Sequence, residues 1–305
     1  MKRVIYKQLY AVHGASSRIR CVRIFKFMNK TKYRSSAYRK QVKTDVFYIQ
    51  QEANVNTIKI AKEFKLKKIP IVYDISDDFG ISGNTLAKQM FGLASAITTN
   101  TSGNKEYFEK FTDTPIYVIP DSIDYFDERP TPIKIAKDIK NITTFGGCNV
   151  PPNTITYANV IPPKYQFNYI YGNRNPKIKK GNHIRWTLKK FIASLKNNTD
   201  LCMLIHDDTP RGNKKSNNKL LVAMALGIPT IVSNTQSYAE TMKDIGLENL
   251  IVSSPEKMRT VLKQICDVNL RKVIQKRFIE YVWDKYHPKN SSNLLIRVFN
   301  SVIKN

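Results

Sequence analysis

The chain has 305 residues, is 42% hydrophobic, and carries 50 Lys and Arg against 24 Asp and Glu, a formal net charge of +26. This length sets two domains of about 150 residues as the expectation, and the apolar content excludes a wholly disordered chain. No apolar run approaches the ~20 residues that span a bilayer. The four cysteines (Cys21, Cys148, Cys202, Cys266) form no closely spaced pair. Neither a disulfide framework nor a zinc site is therefore expected, and free thiols suit a reducing cytoplasm. The N-terminus shows no sustained apolar core of a signal peptide, which agrees with a cytoplasmic location.

Short β-branched runs alternate with longer amphipathic segments, the pattern of parallel α/β structure. Strands are predicted at VIYKQLY (4–10), TDVFYIQQ (44–51), IPIVYDIS (69–76), SAITTNT (95–101) and TPIYVIP (114–120). Helices are predicted over 54–66, where Ile58, Ala61 and Phe64 share a face, and over 103–111. A break at 127–132, DERPTP, predicts the linker. A second series follows, with strands at 142–147, 167–173, 201–208, 229–234 and 250–254. Its helices are predicted at 186–196, 217–226, 238–244, 255–265, 270–286 and 291–303. The last carries Leu294, Leu295, Val298, Phe299 and Val302 at helical spacing. Two such halves hold ligands at the carboxyl ends of their strands, so chemistry is expected in the cleft between them.

The charge is unevenly spread. No Asp or Glu precedes Asp45, and that stretch holds 13 Lys and Arg; residues 139–199 hold ten more and no acid. These two blocks supply 23 of the 26 excess charges. A lysine-rich composition alone would not empty them of acids. The field favours a polyanionic partner, either nucleic acid or an anionic membrane surface.

The stretch KSNNKLLVAMALGIPTIVS (215–233) describes a basic loop, a helix, a Gly227 helix stop and a strand. Ser216 or Asn217 is the expected N-cap. Lys215 and Lys219 stand beside the positive end of the helix, which makes a seat for a diphosphate. This stretch resembles the donor-binding motif of glycosyltransferase family 4 and related GT-B enzymes. GASSRIR (14–20), VYDISDD (72–78), YVIPDSID (117–124) and FGG (145–147) match further landmarks of that family, in the same order.

The resemblance implies an α/β GT-B fold of two Rossmann-like domains with a donor cleft between them. The expected bounds are 1–132 for the acceptor domain and 133–287 for the donor domain, with a C-terminal crossover helix, 288–305, returning to the first. It implies a metal-independent transferase that retains anomeric configuration, with no cofactor and a UDP-linked nucleotide sugar as substrate. Lys215, Ser216 and Lys219 would meet the donor diphosphate, with Gly14, Ser16 and Arg18 approaching from the other domain. Gly146 and Gly147 would admit the nucleotide, and Tyr238 and Glu240 would point towards the donor. The family's paired-glutamate motif is absent: Lys214 and Val222 occupy its two positions. Ribose must then be held differently, or donor binding has been lost.

Asp74, Asp77 and Asp78 follow the third predicted strand and could position an acceptor hydroxyl or take its proton. His13, beside the glycine loop, is a further catalytic candidate, and His206 closes a predicted strand near the donor side. The basic blocks offer Arg20, Arg23, Lys26, Arg34, Arg39, Arg174, Lys177 and Arg185 for an acceptor. Double-stranded DNA carrying a hydroxymethylated pyrimidine is the leading acceptor, its target base rotated out of the duplex. One alternative is a peripheral enzyme of envelope polysaccharide synthesis, held to anionic lipid by a basic helix whose apolar face is Ile24, Phe25, Phe27 and Met28. Another is a non-catalytic DNA-binding protein on a degenerate GT-B scaffold. No obligate protein partner is expected.

Overall fold

The computed structural model describes residues 2–8, 14–39, 43–77, 81–179 and 181–303. The chain divides into two compact units, Met1–Asp124 with Tyr286–Asn305, and Tyr125–Lys285. In the first unit, β1 (Lys2–Gln8), β2 (Tyr33–Ala37), β3 (Val46–Gln50), β4 (Ile71–Asp74), β5 (Ala96–Thr99) and β6 (Ile116–Val118) form a parallel sheet in the order β2-β1-β3-β4-β5-β6. In the second, β7 (Asn141–Phe145), β8 (Gln166–Tyr171), β9 (Asn182–Arg185), β10 (Leu201–Leu204), β11 (Thr230–Ser233) and β12 (Ile251–Val252) form another, in the order β12-β11-β10-β7-β8-β9. The strand order reverses between β1 and β3 in the first sheet and between β7 and β10 in the second, which leaves a switch point at each carboxyl edge.

Alternation along the strands splits the first unit's core between the two faces of its sheet. Phe47, Ile49, Ile71 and Tyr73 meet the helices Val55–Leu66 and Thr85–Leu93 on one face. Val46, Tyr48 and Val72 face the other way. There they pack with Ile24, Phe25 and Met28, and with Leu295, Val298 and Phe299 of the helix Pro288–Ile303. The C-terminal helix is thus built into the first unit. Tyr33 and Lys2 both reach Asn300 Oδ1, at 2.6 and 3.1 Å, and Ser291 donates to the Pro120 carbonyl at 3.0 Å.

Between β1 and β2, residues 15–28 form one continuous helical rod. It begins as Ala15–Ser17, widens into a π-helical stretch at Arg18–Arg23, and ends as Ile24–Met28. Such widened turns are rare and often lie at functional sites. The apolar side chains expected to touch lipid are in the core instead: Ile24, Phe25 and Met28 are buried. Phe27 rests edge-on against His287.

Several boundaries differ from the sequence reading. The linker was expected at 127–132, but the division falls after Asp124 and the chain re-enters the first unit at Tyr286 rather than 288. The segment that follows the proline-rich stretch is fastened to the second unit by long side chains. Arg271 donates to the carbonyls of Ala136 and Lys137, and Gln275 to that of Ile133. Two strands escaped the sequence pattern altogether, β2 and β9, as did the helices Thr85–Leu93 and Pro152–Ala158. Both strands lie at sheet edges and are mostly exposed, so neither carries an apolar run.

Candidate functional site

The richest cluster lies at the carboxyl edge of the second sheet. Past the end of β10 the chain continues through Ile205, His206, Asp207 and Asp208, and past β11 through Asn234 and Thr235. These loops enclose a cavity of about 150 Å³ that Asn153, His206, Asp207, Asn234, Thr235 and Ser253 help to line. The His206 amide donates to Ser233 Oγ at 3.0 Å, and the Asn153 amide to Asp207 Oδ1, also at 3.0 Å. Two buried polar atoms of residues that line it, His206 Nε2 and Thr235 Oγ1, have no hydrogen-bond partner among the described residues. Buried polar atoms are nearly always paired, so two such atoms on residues lining one cavity point to a place for a polar ligand.

Backbone geometry forces the approach to this edge. Thr209 caps the short helix Pro210–Asn213 by accepting from the Gly212 amide at 2.9 Å. A Cβ at Gly212 would come within 1.9 Å of the Asp207 carbonyl oxygen, so only glycine fits. The turn then delivers Lys215 to the start of the helix Asn218–Ala225. Gly227 ends that helix with φ +66°, and its amide bonds back to Met224 while Ile228 bonds to Ala223. The expected side-chain cap is not made: Asn217 occupies the cap position but donates to Thr241 Oγ1 at 2.9 Å. Lys215 and Lys219 converge here on His206. Burial and the Lys215 charge push the Lys219 ammonium down to about 8, with Asp207 opposing the shift. Burial, then Lys219 and Lys215, hold the His206 imidazole well below its ordinary value, so it is neutral near pH 7. A region that penalises its own cations in this way is electrostatically prepared for an anion.

Other residues named from sequence on this side fare unevenly. Tyr238 does not point into open space. It is fully buried, stacked on the His206 ring at 5.0 Å, and supports that ring from behind. Glu240 is exposed and accepts from Gln236 at 3.2 Å. Gly146 has a packing reason to be glycine, since a Cβ would lie 2.6 Å from the Tyr171 ring; at Gly147 the space is open. Val222 is 1% exposed, an apolar core residue.

The first sheet's carboxyl edge is organised around ion pairs. Arg20, 1% exposed, donates to Asp74 at 2.5–3.0 Å, to Asp121 Oδ1 at 3.0 Å and to the Ile119 carbonyl at 2.8 Å. Thr98 completes the shell of Asp74 at 2.7 Å. Burial pulls against the guanidinium charge, yet Asp74 and Asp121 raise it well above its ordinary value. This overturns two expectations: Asp74 has no lone pair directed at solvent, and Arg20 cannot reach a nucleic acid. Arg23 is buried as well, so it offers no acceptor surface. Arg18, expected near a phosphate, holds Asp124 through two bonds of 2.8 and 2.6 Å. Gly14 precedes the rod in extended conformation, and Ser16 is half-buried on its first turn.

Asp77 remains half-buried at this edge and accepts from Gln51 at 3.5 Å. His13 and Asp78 lie outside the described residues. The sequence reading passed over Gln50, Gln51 and Glu52, a buried polar run directly after the apolar VFYI of β3. That abrupt change of polarity at a strand's carboxyl end was the available signal. Among the acceptor candidates, Lys26, Arg39, Arg174, Lys177 and Arg185 are exposed. Arg34 is exposed too, but its guanidinium binds the carbonyls of Asn29, Thr31 and Tyr33. Among the described residues no three His, Cys, Asp or Glu side chains gather as a metal site would require. None of the helices described is long and apolar enough to cross a membrane.

Two parallel six-stranded sheets in one chain, with the C-terminal helix returned to the first unit, define an α/β protein of the GT-B fold. No family model matches the sequence and no curated protein matches it. Solved structures do. HepE from Anabaena, in complex with UDP, is 12% identical over 99% of this chain and 100% of its own, with a TM-score of 0.70. An alpha-glucosyltransferase in complex with UDP-glucose and DNA containing an abasic site is 13% identical over 98% and 99%, with a TM-score of 0.69. WaaG, a glycosyltransferase involved in lipopolysaccharide biosynthesis, is 12% identical over 96% and 99%, at 0.63.

Proposed function

We propose that this chain is a glycosyltransferase that takes a sugar from a UDP-linked donor. The observation that carries this reading is the convergence of Lys215, Lys219 and a neutral His206 at the carboxyl edge of the second sheet, beside the start of the helix Asn218–Ala225. Transfer leaves a diphosphate whose negative charge grows in the transition state. Fixed cations and helix amides stabilise that charge without reorganising, a contribution that is often the largest in such chemistry. Lys215 and Lys219 take this role, and the uncompensated partner atoms of His206 and Thr235 hold polar groups of the donor. The UDP and UDP-glucose in similar structures support the choice of nucleotide.

The reaction proceeds with retention and without a metal ion. The leaving phosphate then takes the acceptor proton, and no protein base is obligatory. If configuration is inverted, Asp77 is the residue to test as base, because Asp74 is enclosed by Arg20 and Thr98. The acceptor is a hydroxyl on a polyanion, with hydroxymethylated pyrimidine in DNA as the leading choice. The basic blocks and the DNA in one similar structure support it. The envelope reading keeps the support of WaaG, but it loses its membrane helix, since Ile24, Phe25 and Met28 are core residues.

The test is a panel of nucleotide sugars incubated with unmodified and hydroxymethylated duplex DNA, read by mass. A sugar-sized increase on the modified DNA alone, with one equivalent of UDP released, is expected. No transfer from any donor, together with no binding of UDP, would overturn the assignment.

A further inference from the structure

A groove of about 910 Å³ runs along the helix Val55–Leu66, remote in sequence from the lysine cluster. Its origin is topological. The rod between β1 and β2 packs with the opposite face of the sheet, where it shares a core with the Pro288–Ile303 helix. On the near face the Val55–Leu66 helix packs with Phe47 and Tyr73, and the groove lies between that helix and the residues Tyr38, Arg39, Lys43 and Thr44. Tyr38, Phe64 and Ile60 belong to its apolar lining, with Tyr38 and Phe64 only partly buried. Phe64 stacks on Phe47 at 4.4 Å, which fixes the floor.

Its rim is basic. Arg39, Lys43, Lys59 and Lys67 line it and are exposed, against one carboxylate, Glu63. Among the described residues none of these four cations makes an ion pair, unlike Arg18 and Arg20 in the same unit. Lys59 lies within the helix and Lys67 is its C-cap residue, roughly 12 Å along the axis at 1.5 Å per residue. That distance is long enough for a strand of nucleic acid to set more than one phosphate along the rim. A row of exposed cations lining a groove with a part-exposed tyrosine supplies the two elements of a single-strand binding groove: electrostatic attraction for the backbone and an aromatic ring for a base.

We propose that this groove binds a single strand of nucleic acid, its phosphates on Arg39, Lys43, Lys59 and Lys67 and a base against Tyr38. It deepens the DNA-acceptor reading, on which its biological sense rests: an enzyme acting on a base taken out of the duplex gains by holding unpaired strand.

Fluorescence anisotropy with a labelled single-stranded 12-mer tests it, comparing the wild-type protein with the Lys59→Glu/Lys67→Glu and Arg39→Glu/Lys43→Glu double variants and with Tyr38→Ala. All the reversed charges are on exposed side chains, and thermal unfolding checks that the variants remain folded. Each charge-reversal pair should weaken binding by about tenfold or more and lower the slope of log affinity against log salt by about 1.4, two phosphate contacts at ~0.7 each. Tyr38→Ala should weaken binding and leave the salt slope unchanged. UDP binding, followed by calorimetry, should be the same in every variant. Oligonucleotide affinity and salt slope untouched by both charge reversals would overturn the groove while leaving the transferase standing. So would loss of retention on phosphatidylglycerol vesicles with oligonucleotide binding intact, which would assign the surface to a membrane. Loss of UDP binding in the wild-type protein would instead sink the donor reading and leave the groove to be judged on the oligonucleotide alone.

Discussion

At the carboxyl edge of the first sheet Arg20 lies between Asp74 and Asp121, and Arg18 grips Asp124; at the corresponding edge of the second sheet Lys219 has another lysine for a neighbour, with Asp207 as a weaker counterweight. The first arrangement raises the basicity of its cation and the second lowers it. Charges of the first kind hold a structure together, because removing one partner strands the other in a medium that cannot solvate it. Charges of the second kind raise the energy of the empty protein and are relieved when an anion arrives. Sequence motifs do not separate the two kinds, since both present arginine, lysine and aspartate near strand ends. Only the position of the counter-ion does so.

The contrast can be broken most severely from the first side. Arg20→Met should destabilise the protein by about 3–5 kcal/mol, because Asp74 and Asp121 are then buried without their cation. Denaturant unfolding measures this, and a loss below about 1 kcal/mol would mean that the ion pairs are not the lock. On the second side, Lys219→Met should leave stability unchanged or raised, since a penalised charge is removed. The same variant should weaken UDP binding by about 10- to 100-fold, the equivalent of one charge-assisted hydrogen bond of 1.5–3 kcal/mol. Calorimetry reads both directions in one protein.

A smaller effect sharpens the same contrast through pH. Lys219 titrates near 8 in the empty protein, pushed down by burial and by the Lys215 charge with Asp207 opposing them. A bound diphosphate favours the charged ammonium and must raise that value. UDP affinity is therefore full below about pH 8 and falls as pH rises above it, by at most about tenfold per unit. UDP itself is already fully ionised there, its last phosphate ionisation lying near 6. Lys219→Met should flatten the profile between pH 7.5 and 9.5; a slope that persists would assign the titration to another group.

The fold was largely readable where burial shaped the residues. Strand β3 is buried throughout, and its VFYI run announces a central strand of a parallel sheet. Strand β2, by contrast, reads YRSSA with only Tyr33 buried, and nothing in that pattern distinguishes it from a loop. Its pairing with β1 is a tertiary event. The site divided in the same way. Gly227 and the lysines near the Asn218–Ala225 helix were legible because local backbone chemistry requires a helix start and stop there. The partner of Asp74 was not, for it lies 54 positions away along the chain, and a carboxylate after a strand has the same spelling whether it faces substrate or arginine.

The helix Pro288–Ile303 has a consequence for how the protein is made. Domains commonly fold as they leave the ribosome, the earlier one first. Here residues 125–285 can close their core while Val4, Tyr33 and Tyr48 still wait for Leu295, Val298 and Phe299. The half synthesised first is the half completed last, and during that interval a strongly basic, half-open sheet is exposed to every polyanion and chaperone at the tunnel exit.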